Sequence, residues 1–363
     1  MALSKIRVLI VEDTLVGQGL LKGLLAEDPR FEVIGIVGNG RQAIDFISIN
    51  KPDVVSMDIY MPVMDGVEAT TIIMQQTPVP IAIVSSFYNT SEVQMSFKIL
   101  EAGALTILPR PYGPGHSQFA ITARNYRNTL KMLSEIKVSA LKVRIKSRYN
   151  GSGGIYFSNQ TNISDDKTSS RENKSENYEI IAIGASAGGP QAIHAILKEI
   201  PESLRVPVMI VQHIDKNFAD GYCDWLNSVS NIPIHIARNN ETMLPGHGYL
   251  PPGDNHLGLI RQGVIGLSKN PPEKGLRPAV SFLFRDILTF YGNKAVAILL
   301  SGMGADGAPE IKKLRDAGAL TIAQDAETSL VHGMPGEAIR LGGAAKIQSP
   351  EEIVVEITRL FTI

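Results

Sequence analysis

Two α/β domains joined by a polar linker are what this chain predicts, and three observations carry the prediction. From residue 6 to about 112, short apolar runs alternate with amphipathic stretches five times, the pattern of a parallel sheet with helices on both faces. A second pattern of the same kind runs from Tyr178 to the C-terminus, with strands expected near 180, 206, 248, 295 and 320, as in a doubly wound α/β/α domain. Between them, Asn150 to Asn177 is rich in Ser, Asn, Gly and alternating charge and has almost no apolar residues, so it cannot bury enough surface to fold alone. The expected divisions are 1–122, 123–177 and 178–363, which suits a chain of 363 residues, too long for one ordinary core.

The five N-terminal strands are expected at Ile6–Val11, Val33–Val37, Val54–Met57, Ile81–Val84 and Thr106–Leu108. Glu12 and Asp13 follow the first and Asp58 follows the third, and in a doubly wound sheet those ends are neighbours. Three gathered carboxylates repel one another and raise each other's pKa unless a cation sits between them; a hard ion such as Mg²⁺ meets that need and leaves room for a phosphoryl group. Ser85 ends the fourth strand with a hydroxyl that can bond a phosphoryl oxygen, and Arg110 follows the fifth with a cation. Any one strand-end acid is usually just solvated; five coordinated positions on successive strand ends point to phosphorylation of Asp58.

Ala123 to Tyr149 reads as helical and carries eight Lys or Arg, at 124, 127, 131, 137, 142, 144, 146 and 148, against the single acid Glu135. Solvation of a linker helix is the favoured reading, over contact with an acidic protein partner or an anionic membrane surface. The strings Ala102–Ile107 and Ala317–Ile322 are identical and read as a helix ending at Gly and turning into a buried strand.

The formal net charge of −1 argues against a general polyanion binder, so no nucleic acid is expected. One cysteine, Cys223, excludes an intramolecular disulfide and cysteine-cluster metal sites and suits a reducing cytosol. Glu12 and Asp13 follow the first apolar run too soon for a secretion signal, and no run reaches membrane-spanning length, so a cytoplasmic location without membrane insertion is expected.

In the second domain the strand from Ile180 breaks into Gly184-Ala185-Ser186-Ala187-Gly188-Gly189-Pro190, a turn that exposes Ser186 at a strand's carboxyl end. Serine needs an adjacent base and an orienting acid. His213, after Val206–Gln212, and Asp306, after Ala295–Leu300 and the turn Ser301-Gly302-Met303-Gly304, are the best candidates. The Gly-x-Ser-x-Gly string alone would suggest an α/β-hydrolase, whose chain order would give the histidine role to His332; the Gly and Pro around His332 read instead as a turn. A dinucleotide-binding turn ranks lower, because no acid follows at the ribose-binding spacing and no Tyr-x-x-x-Lys pair follows Ser186. A phosphorylation-dependent binding module would leave the Ser, His and Asp unused.

Residues 5 to about 125 resemble the receiver domain of response regulators, which implies a flavodoxin-like five-stranded sheet with Asp58 as phosphoacceptor, Glu12, Asp13 and Asp58 as Mg²⁺ ligands and Ser85 as the switch hydroxyl. Arg110 stands where that family carries lysine, and Ile107 where an aromatic switch residue is common. The strings around Ser186, His213, Leu250-Pro251-Pro252-Gly253, Asp306 and His332 resemble the catalytic domain of chemotaxis-specific protein-glutamate methylesterases. That resemblance implies demethylation of chemoreceptor glutamates and deamidation of receptor glutamines without a cofactor in the esterase, with Met303 supplying an oxyanion-hole N–H, Arg277 contacting substrate and a sensor histidine kinase as phosphodonor.

Overall fold

A computed structural model describes residues 4–85, 97–136 and 178–361. In the N-terminal half, β1 (Ile6–Val11), β2 (Phe31–Val37), β3 (Val54–Met57), β4 (Ile81–Ser85) and β5 (Thr106–Pro109) form one parallel sheet in the order β2-β1-β3-β4-β5. The order reverses between β1 and β3, and a crevice opens beyond the carboxyl ends of strands at such a point. Helices Leu15–Ala26, Gly40–Asn50 and Gly66–Gln76 start at Thr14, Asn39 and Asp65, whose side chains each accept a first-turn N–H.

The helix expected from Ala123 instead begins at Phe119 and ends at Ser134. It buries Ala123, Tyr126, Leu130 and Leu133, and the Tyr126 hydroxyl donates to Ser56 Oγ of β3 at 3.0 Å. Its basic residues are therefore the solvent face of a helix of the N-terminal domain, which extends past residue 122. Arg127 pairs there with Glu27 at 3.0 Å. Residues 137–177, which hold the rest of the basic stretch and the polar linker, lie outside the described residues.

The C-terminal half is built on β6 (Ile180–Ala185), β7 (Val208–Gln212), β8 (Ile234–Ile236), β9 (Gly248–Leu250), the hairpin β10 (His256–Arg261) and β11 (Val264–Ser268), then β12 (Ala295–Leu299), β13 (Leu320–Gln324) and β14 (Lys346–Gln348). All but the hairpin belong to one parallel sheet, β14-β13-β12-β6-β7-β9-β8. Strands β6, β7 and β12 are buried at every position, as sheets covered on both faces require. The chain starts at the centre, with β7 on one side of β6 and β12 on the other, so the ends of these three strands surround the switch point.

The two repeated strings fold alike. Gly103 and Gly318 have φ of +113° and +90°, and the next N–H, from Ala104 or Ala319, reaches back to Ile99 or Leu314 at 3.0 Å in each case. Among the described residues the halves meet along 97–104, ahead of β5. Phe97 stacks on Trp225 with 5.2 Å between ring centres and also contacts Tyr222 and Phe218. Trp225 Nε1 donates to Glu101 Oε1 at 2.8 Å, and Gln191 Nε2 donates to the Ala104 carbonyl at 2.9 Å.

Candidate active site and phosphoacceptor site

The N-terminal edge gathers the expected acids. Carboxylate oxygens of Glu12, Asp13 and Asp58 all lie within 4.8 Å of one another; Glu12 and Asp58 are buried, and Asp13 is exposed. Burial pushes the Asp58 carboxyl up to about 6, against the pull of the Arg110 guanidinium. One Arg110 nitrogen, Nη2, bridges two of the acids, at 2.6 Å from Glu12 Oε2 and 2.8 Å from Asp58 Oδ2. Three adjacent carboxylate donors suit a hard divalent ion. Ser85 ends β4 beside Pro109 of β5, and its carbonyl accepts the Arg110 N–H at 2.9 Å, which ties the two strand ends together.

In the second sheet the nucleophile turn is held on both sides. The Ser186 N–H donates to Ser301 O at 3.0 Å, and the His213 N–H donates to Ala185 O at 2.9 Å. Helix Gly189–Glu199 starts directly after this turn, with Gly188 at φ +77° and Pro190 in its first turn. A side chain at 188 would strike Leu330 and Ser301 Oγ, so a glycine is required there for space as well as backbone angle. His213 and Asp306 meet at 2.8 Å, Nε2 to Oδ2. Asp306 is braced further: its Oδ2 accepts the Val280 N–H at 2.6 Å and its Oδ1 accepts the Ser281 N–H at 3.0 Å, both at the start of helix Val280–Phe290. Burial alone would raise its pKa, but the His213 pairing and the Ser281 N–H outweigh it and hold the carboxyl well below the usual range.

The Ser186 hydroxyl has no hydrogen-bond partner among the described residues. With Nε2 held by Asp306, Nδ1 is the His213 nitrogen left to serve as a base. The Gly302 backbone presses on Ser186, since a Cβ at 302 would lie 2.8 Å from Ser186 Cβ. The Gly302 N–H is committed to Val331 O at 2.9 Å, whereas the Met303 N–H has no acceptor among the described residues. His332 runs beside Gly302, and its ring contacts Ser329 Oγ at 3.2 Å; Asp306 pairs with His213. Arg277 donates to Asp254 Oδ1 from two nitrogens and to the Lys269 and Asn270 carbonyls from the third. This braces the loop leading to Val280 and leaves one Nη2 hydrogen of Arg277 without a partner among the described residues.

Sequence reasoning gave no supporting role to three residues that hold this site. Ser301 is wholly buried; its Oγ donates to Ala187 O at 2.8 Å and accepts the Val331 N–H at 2.9 Å. The Ser281 hydroxyl donates to the buried Glu310 at 2.7 Å and accepts the Gly307 N–H at 2.9 Å. Gln212 is the third. A lone Ser or Gln in an apolar run carries no pattern that could have marked it.

The fold and its two sheet edges define a class: a receiver domain joined to a hydrolase domain on a doubly wound sheet. Residues 8–121 match the family model of the response regulator receiver domain, and residues 181–357 match that of the CheB methylesterase. A protein-glutamate methylesterase/protein-glutamine glutaminase of Nitrosospira multiformis is 44% identical over 355 residues, spanning 98% of this chain and 97% of that one. One from Geobacter metallireducens is 43% identical over 356 residues, spanning 98% and 99%. The crystal structure of the Thermotoga maritima CheB methylesterase catalytic domain is 33% identical, covering 50% of this chain and 98% of that one, with a TM-score of 0.49. The chain belongs to the protein-glutamate methylesterase/protein-glutamine glutaminase family.

Proposed function

We propose that this chain hydrolyses glutamate methyl esters on chemoreceptors, and deamidates receptor glutamines, with Ser186 as nucleophile and phosphorylation of Asp58 as the switch. The observation that carries the reading is the His213–Asp306 pair beside the Ser186 turn, at the ends of three adjacent strands. Ser186 Oγ attacks the γ-carbonyl while His213 Nδ1 takes its proton, and Asp306 on Nε2 fixes the tautomer and stabilises the imidazolium. The Met303 N–H, still free of an acceptor among the described residues, is suited to the tetrahedral oxyanion. His213 returns the proton to the departing methoxide, methanol leaves, and the same base activates water against the acyl-enzyme. An amide substrate releases ammonia instead.

In the receiver, Glu12, Asp13 and Asp58 would hold Mg²⁺, which neutralises charge on the incoming phosphoryl group. The Asp58 carboxylate is the acceptor, Arg110 is free to exchange its two carboxylates for phosphoryl oxygens as a bidentate fork, and Ser85 donates its hydroxyl. Ser85 and Arg110 bracket the segment that carries Phe97 and Glu101, so both ends of the domain contact respond to the phosphoryl group. Without it, the receiver packs over the helix that begins at the nucleophile turn and restricts access to Ser186. A sensor histidine kinase is the phosphodonor, and the cytoplasm is the site of action. Among the described residues no helix is long and apolar enough to cross a membrane.

The test is release of labelled methanol from membranes bearing methylated chemoreceptors. Wild type should release it, and Ser186→Ala should lose about three orders of magnitude or more in rate. Equal release by both proteins would exclude Ser186 as the nucleophile.

A further inference from the structure

Gln212, the last residue of β7, is only 3% exposed and lies between the nucleophile turn and the histidine. Its single amide nitrogen serves both: Nε2 donates to the Ser186 carbonyl at 2.8 Å and to the His213 carbonyl at 3.0 Å. Its Oε1 is buried with no partner among the described residues. That oxygen fits under the first turn of helix Gly189–Glu199 only because residue 189 is glycine; a Cβ there would come within 2.2 Å of it. An apolar side chain would remove the unpaired Oε1 but would also take the donor from the His213 carbonyl, whereas the Ser186 carbonyl keeps the Gly189 N–H at 2.8 Å.

We infer that Gln212 is a positioning residue for the acyl-transfer step, which rests on Ser186 and His213 being nucleophile and base. Backbone bonds fix the N–H of Ser186 and the N–H of His213, but these reach different strands, Ser301 after β12 and Ala185 in β6. The Gln212 amide is the direct link between the two residues themselves. By holding both carbonyls on one nitrogen it sets how far the Ser186 turn can rotate relative to the imidazole. Ser186 Oγ has no hydrogen-bond partner among the described residues, so its contact with His213 depends on how the turn that carries it is held relative to the imidazole. A misplacement of the reacting atoms by about 1 Å is enough to cost two orders of magnitude in rate.

Full-length Gln212→Met, which keeps volume and loses both donors, tests this, with Gln212→Glu as a second variant. The primary readout is the rate at which a fluorophosphonate labels Ser186 between about pH 6 and about pH 9, beside kcat and KM for methanol release. Both variants should show about a 10- to 100-fold fall in limiting labelling rate and in kcat, with KM within about twofold of wild type. Labelling within about threefold of wild type would overturn the inference, as would a change confined to KM. Failure of both variants to fold would assign the amide to stability and overturn it too. If wild type itself is not labelled at Ser186, it is the nucleophile assignment that fails, whatever Gln212 does.

Discussion

His213 presents Nε2 to its acid partner, so in the proposed mechanism its proton traffic with Ser186 runs through Nδ1. That assignment follows from which nitrogen the strand-end geometry delivers to Asp306. Asp306→Asn should lower kcat by about four orders of magnitude, because the amide holds the wrong tautomer. The same residue has a stability signature. Its ordinary value is 3.8 and the folded value is lower, so ionised Asp306 stabilises the fold above its unfolded value and loses that contribution as pH falls through the folded one. The stability advantage of wild type over Asp306→Asn should therefore be complete above about pH 5 and shrink toward zero below about pH 3, as read by denaturant melts. Arg110 belongs to this scale as well: one guanidinium nitrogen bridges Glu12 and Asp58.

At the scale of elements, the continuous apolar runs that became β6, β7 and β12 were legible, and so were the residues placed after them. An all-parallel sheet writes its strands as unbroken hydrophobic stretches and its site at their ends. Strands β8 and β14 were not legible, since three residues each are too short to show a period. The hairpin β10–β11 turns on Gln262-Gly263, a short signal lost between longer runs. The basic stretch misled for a different reason. Charge on the exposed face of Phe119–Ser134 stood out more than the spaced apolar residues that anchor it. Element ends also carry a prediction. Ser281 joins the start of helix Val280–Phe290 to that of Ala308–Asp316, so Ser281→Ala leaves the Gly307 N–H without its acceptor and Glu310 Oε2 without its donor, while Glu310 Oε1 keeps Arg285 at 3.8 Å. A loss of about 1–3 kcal/mol in thermal or denaturant unfolding is expected, with a smaller effect if water fills the gap.

At the scale of the whole molecule, among the described residues the two halves meet where Phe97 and Glu101 of the receiver touch Trp225, and where Gln191 of the helix after Ser186 touches Ala104. No sequence pattern announces such a surface, because each of these residues also satisfies the rules of its own domain. Phe97→Ala removes the central ring of this stack and should raise methanol release in the absence of phosphodonor about five- to fifty-fold, toward the activated rate. Trp225 is the single tryptophan of the chain, so its emission should shift to the red in this variant and, in wild type, on adding a small-molecule phosphodonor with Mg²⁺.

The most direct test of the account is methanol release from methylated chemoreceptor membranes by wild type and Asp58→Asn, each with and without phosphodonor and Mg²⁺, against a Ser186→Ala baseline. Serine-dependent release that rises with phosphodonor in wild type and stays flat in Asp58→Asn is the expected result. Equal stimulation of both proteins, or none in wild type, would contradict the claim that Asp58 controls Ser186.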